Sequence, residues 1–223
     1  MEDMRINQIP IARFGAQLQL GFSVSGTPIE NQYFKGRNRS SFVLLTSVTG
    51  MKTLTLPLVC VGTDTHEISR NKSNLDSMLV QKIEIALPDG YEYTCIVDSV
   101  GELSYVGDRL ATCDYSFLGI QHGPWIETTG PDILCESTAP VTDCIFSTTV
   151  STGQEEYNLA GTVFHNVSAG TKLVVDGLHK RILVNGAPGA QFCDFLEFPY
   201  LIPGKNRVQA PDPVMVSYWP VYI

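Results

Sequence analysis

Basic charge, long apolar runs and reactive motifs are all scarce in this chain. Its 223 residues carry 15 Lys and Arg against 23 Asp and Glu, a formal charge of −8. A protein that grips nucleic acid by neutralising phosphates needs the opposite balance, so direct nucleic-acid binding is not expected. The longest apolar stretches, such as Phe42–Leu45 and Leu54–Val61, fall far short of a membrane span, and no membrane partner is expected. The segment Met1-Glu2-Asp3-Met4-Arg5 lacks the apolar core of a secretion signal. That predicts a chain made and kept in a reducing cytosol unless lysis releases it. Only 17% of residues are charged. So few charges leave surface for contact with other proteins.

The chemistry-bearing motifs are missing too. Cys60, Cys95, Cys113, Cys135, Cys144 and Cys193 form no C-x-x-C pair, and no His stands at zinc-ligand spacing from them. Cys60, Cys95 and Cys113 lie in strand-like runs, where a free thiol acts as a small core hydrophobe. Cys135 and Cys144 are near enough in sequence to close a short loop, which a cytosolic chain has little reason to form. Gly21-Phe22-Ser23-Val24-Ser25 lacks the second Gly of a nucleophile elbow. Gly186-Ala187-Pro188-Gly189 is a turn, because Pro removes an N–H that a phosphate would need. Glu155 and Glu156 are strand neighbours that point to opposite faces. The expectation is no catalytic residue, no metal, no nucleotide or other cofactor, and no enzyme.

What is present is alternation and punctuation. Nineteen Gly and 13 Pro separate short apolar runs, the pattern of a mainly β chain. Leu54, Leu56, Leu58 and Cys60 share one face of a strand over 51–61, and Pro57 suggests an edge or a bulge. Asp64 followed by Glu67 is a capping-box pattern. Ile68, Leu75, Met78 and Leu79 then recur at helical spacing, predicting one helix at about 65–81. Ile83, Ile85 and Leu87 alternate into the turn Pro88-Asp89-Gly90, and Tyr91, Tyr93, Cys95 and Val97 alternate back. Ala111, Cys113, Tyr115 and Phe117 form a further strand before Gly119.

Gly and Pro replace the alternation over Gly123–Pro131, which reads as a linker. Beyond it the chain is all strand in character, over 143–150, 156–165, 172–176, 180–184 and 214–222. Two domains follow. Residues 1–125 form a β-sandwich-like domain with the one helix, and residues 130–223 form a β-sandwich. The aromatic end, Tyr218-Trp219-Pro220-Val221-Tyr222-Ile223, has two readings: a strand that closes the core, or a platform for stacking a sugar ring.

One charged cluster stands out. Lys35, Arg37 and Arg39 fall within five positions of an otherwise acidic chain, in the polar stretch 26–41 that reads as an exposed loop or extended hairpin. The cluster is either a solvated loop or a contact with an acidic surface of a neighbouring subunit, where complementary charge would fix register.

The order strand, capped helix, then Ile83-Glu84-Ile85-Ala86-Leu87-Pro88-Asp89-Gly90-Tyr91-Glu92-Tyr93 resembles the N-terminal domain of the distal tail proteins (the Dit family) of long-tailed, non-contractile phages. The hairpin over 173–185 with Gly186, the run Phe198-Pro199-Tyr200-Leu201-Ile202-Pro203-Gly204-Lys205-Asn206-Arg207-Val208, and a closing strand ending near Trp219 resemble the same family's second domain. The resemblance implies a structural virion protein at the tail tip. It implies a homohexameric ring built by the first domain, with a galectin-like sandwich outside. It also implies partners: the tail tube protein, the tail-associated lysin or fibre hub, and in many phages receptor-binding proteins. Such proteins assemble in the host cytoplasm and are not enzymes. The alternative is a carbohydrate-binding module that uses the galectin-like domain for attachment to the host surface.

Overall fold

The computed structural model describes residues 4–223. They divide into two compact units, one of residues 4–122 with Ile223 and one of Gly123–Tyr222. The described residues are mainly β with one α-helix.

In the first unit one antiparallel sheet runs in the order Ile9–Pro10, Arg5–Ile6, Ile83–Ala86, Glu92–Val100, Leu110–His122, Lys52–Val61, Ala16–Leu18. It curls around a single core. Leu54, Leu56, Leu58 and Cys60 supply one face of it, and Tyr93, Cys95, Ala111, Cys113, Tyr115 and Phe117 extend that face across the neighbouring strands. The helix, Thr65–Met78, closes the core with Ile68 and Leu75, and Leu79 follows at its end. Each such side chain contributes about 1.5–3 kcal/mol on burial. Asp64 caps the helix by accepting from the Glu67 N–H at 2.8 Å. The reciprocal bond goes one residue further back than a capping box requires: Glu67 Oε2 accepts from the Thr63 N–H at 2.7 Å and the Thr63 hydroxyl at 2.6 Å.

Two strand expectations need correction here. Lys52–Val61 is an internal strand whose pairing with Leu110–His122 has no bulge, although Pro57 suggested an edge or a bulge. On one side it pairs without a break with Leu110–His122. On the other it meets two short strands, Ala16–Leu18 up to Leu58 and Ser23–Val24 from Thr55 onward. Pro57 falls in the gap between them, where its missing N–H costs no ladder bond, and its carbonyl accepts from the Gln19 N–H at 2.9 Å. Gly119 does not end its strand, which continues to His122. A side chain at Gly119 would run into Cys95 Sγ and, at 3.3 Å, Leu54 Cδ1. The glycine serves close packing rather than a turn.

In the second unit a six-stranded antiparallel sheet runs in the order Ile126–Thr129, Met215–Tyr218, Ile145–Thr149, Lys172–Asp176, Arg181–Val184, Ala187–Pro188. Its inward residues, including Phe146, Leu173, Val175, Val216 and Tyr218, share a core with Tyr157, Leu159 and Phe164. Those three come from the small sheet Gln154–Leu159, Thr162–Val167, Cys193–Asp194. Two layers thus enclose one core, as in a sandwich.

The expected linker Gly123–Pro131 holds a strand of that larger sheet: Ile126–Thr129 pairs with Met215–Tyr218 from Ile126↔Tyr218 to Thr129↔Met215. The single strand expected over 156–165 is a hairpin. Ala160 and Gly161 take φ of 53° and 93°, and Asn158 Oδ1 holds the turn by accepting from the Gly161 N–H at 2.8 Å. Both central residues have positive φ, as a two-residue hairpin loop requires.

Candidate functional site

The cluster Lys35, Arg37 and Arg39 sits at the tip of an arm. Ile29–Phe34 and Val43–Thr49 pair only with each other, as a separate two-stranded sheet. The arm closes at its base through the Gly50 N–H to the Pro28 carbonyl at 2.8 Å. At the tip the Arg39 N–H bonds the Gly36 carbonyl at 3.1 Å, and Asn38 turns the chain with φ of 61°. The structure therefore realises an extended hairpin, with all three cations exposed in its turn. Among the described residues no carboxylate forms an ion pair with them.

Every residue of both arm strands is exposed, and none belongs to either core. The exposure is unusual because the side chains are large and apolar. Phe34 and Leu45 are each 65% exposed, and Tyr33, Phe42, Val43 and Leu44 are more than half exposed. A lone two-stranded hairpin is marginal in water. A contiguous exposed apolar patch of this kind marks a contact surface. The sequence shows the cations and the apolar run Phe42–Leu45; that the two strands stand apart from either core emerges only from the pairing.

Away from the arm, His122 and His179 hydrogen-bond the carboxylates of Glu84 and Asp176. Asp176 is buried and accepts from Arg181 Nε at 2.7 Å, the His179 N–H at 3.0 Å and His179 Nδ1 at 2.9 Å. Burial alone would raise its pKa; Arg181 and His179 outweigh that and hold it below the usual carboxylate range. Glu84 is likewise raised by burial but lowered more by hydrogen bonds from His122 and Thr94. All six cysteines are free. Burial pushes the Cys95 thiol up to about 12 and raises Cys60, Cys113 and Cys144 as well, so none of these is a thiolate nucleophile near neutral pH. Among the described residues no group of three or more His, Cys, Asp or Glu is placed to hold a metal.

The aromatic C-terminus places its side chains in two environments. Tyr218 is fully buried and donates its hydroxyl hydrogen to the Leu134 carbonyl at 3.1 Å. Trp219, next along, is about one-third exposed and meets Trp125 edge-to-face with ring centroids 4.3 Å apart.

No family model matches the chain, and no curated protein does. Solved structures do. The Dit protein (gp 19.1) of phage SPP1, described as a paradigm of the hub adsorption apparatus in Gram-positive-infecting phages, matches with a TM-score of 0.78. The match covers 99% of each chain at 14% sequence identity. The two chains share one fold. Chains of the phage p2 baseplate in its activated conformation share it more loosely. The calcium form matches with a TM-score of 0.58 over 95% of this chain and 92% of that one, and the strontium form with 0.59 over 97% of each, both at 8% identity. The Dit-like topology thus spans both units, from the helix-bearing curled sheet to the closing sandwich.

Proposed function

We propose that this protein is a structural component of a phage tail tip, forming a hexameric ring that joins the tail tube to the tail-associated lysin or fibre hub. The observation that carries the reading is the end-to-end match to the SPP1 hub protein. The first unit builds the ring and the sandwich unit lies outside it. The arm is the subunit contact, with Lys35, Arg37 and Arg39 meeting acidic surface on the next copy. Symmetry repeats one such heterologous contact around a closed ring. The role is architectural rather than catalytic; the matched proteins are hub and baseplate components. Particles would assemble in the host cytoplasm, and the protein would remain in the virion. Antibody labelling of intact virions tests the placement: gold at the tail tip supports it, and gold on the capsid or on no part of the particle refutes it.

A second reading, carbohydrate attachment through the sandwich, is favoured by the partly exposed Trp125–Trp219 pair, where Trp125 Nε1 also donates to Glu127 Oε1 at 3.0 Å. It ranks second because it leaves the apolar arm without a use. Tryptophan fluorescence that shifts on adding host cell-wall glycan would promote it.

A further inference from the structure

We infer that the distal half of the arm is enclosed on both of its faces by a second copy of this chain, rather than laid flat on that copy's surface. This rests on the ring reading above and adds the shape of the contact. The pairing register decides it. From Ile29↔Thr49 to Gln32↔Thr46 the arm alternates ordinarily, and polar Glu30, Asn31, Gln32, Thr46 and Ser47 dominate both faces. A bulge then sets Tyr33 opposite Leu44 and Phe34 opposite Val43, with Leu45 as the extra residue. Directly opposed residues share a face, and successive residues alternate. One face of the distal half therefore carries Tyr33 and Leu44. Phe42 joins them, its ring edge-to-face with Tyr33 at 5.8 Å. The other face carries Phe34 and Val43.

A hairpin that rests on a surface needs only one apolar face, and its outer face is polar. This hairpin is apolar on both faces only beyond the bulge, so only that half is enclosed. Charge identifies the occupant as another copy. Residues 26–50 carry Lys35, Arg37 and Arg39 against Glu30, a net +2 in a chain of net −8; the other residues of every copy are therefore net −10. The tip is drawn to acidic surface, and each copy presents it. An arm of one copy received by the next forms a head-to-tail contact, the kind that closes a ring.

The test uses the full chain. One variant removes the first face (Tyr33→Thr with Leu44→Thr), another the second (Phe34→Thr with Val43→Thr); threonine keeps strand propensity while removing most of the apolar area. Sedimentation velocity over a concentration series reads assembly. Each pair is expected to raise the dissociation constant at least about tenfold. Hydroxyl-radical footprinting of the unaltered protein gives a second readout free of folding effects: side-chain oxidation at Tyr33 and at Phe34 should fall together on assembly. If the unaltered chain stays monomeric at every concentration, the ring reading falls and this inference with it. If it assembles but one face tolerates substitution and stays as oxidised as in the monomer, the arm lies flat and this inference alone is wrong.

Discussion

Tyr115 donates its hydroxyl hydrogen to Asp76 Oδ1 at 2.7 Å, which pins the longest strand of the first unit to the helix through a buried phenol. Lys72 binds the other oxygen of the same carboxylate, Oδ2, at 2.7 Å and lies 5.5 Å from the centroid of the Tyr115 ring. Burial and then the Asp76 contact raise the phenol pKa, so the hydroxyl stays a donor across the physiological range. Tyr115→Phe keeps the ring and removes the bond. The expected cost is about 1–2 kcal/mol, read as a lower urea midpoint with an unchanged slope. An unchanged midpoint would show that Lys72 alone holds the helix carboxylate.

Gly119 faces Cys95 across the sheet with no room for a methyl group. Gly119→Ala should destabilise by about 1–3 kcal/mol through overpacking. Adding Cys95→Ala should recover part of that loss, since the sulfur is the nearest obstacle. Thermal melts of the two single variants and the double variant check it; simple additivity would contradict the contact.

Asp176 gives the second unit a pH dependence. Its folded pKa is depressed, so its stabilisation is fully present above the unfolded carboxyl value, near pH 4, and is lost as pH falls through the lower folded value. Asp176→Asn should cost about 1.5–3 kcal/mol at pH 7. The variant should also lose less stability than the parent on acidification below about pH 4. Urea titrations at pH 7 and pH 3 measure both effects, and a constant difference between the proteins at the two values would refute the assignment.

A contact made through charge at the arm tip would be salt-sensitive. Replacing Lys35, Arg37 and Arg39 by Ser should weaken assembly most at low salt, because salt screens the same contacts in the parent. Each exposed pair is worth at most about 1 kcal/mol, so only the repeated set is felt. Light scattering from 20 mM upward on the order of 500 mM salt spans the screening range. If parent and variant assemble identically throughout, the cations are merely solvated.

Local patterns were legible where the physics is local. The Leu54–Cys60 alternation, the Asp64 cap, the helix face of Ile68 and Leu75, and the Asp89-Gly90 turn each depend on neighbours in sequence, and each is found in place. The misreadings have non-local causes. Gly119 looked like a strand end because its reason, Cys95, lies on another strand. Pro57 looked like an edge marker because the gap between two short strands cannot be seen from Pro57 itself. Ala160 concealed a hairpin because alanine rarely takes positive φ. The arm's cations were visible as composition, but its two apolar faces depend on a bulge that appears only once Gln32 and Tyr33 are paired.

The central claim is a ring of six identical chains, and native mass spectrometry of the purified full-length protein tests it most directly. A dominant species at six times 24.5 kDa is expected, and it should break down when either arm face is substituted. A chain that remains at 24.5 kDa at every concentration and at low salt would contradict it.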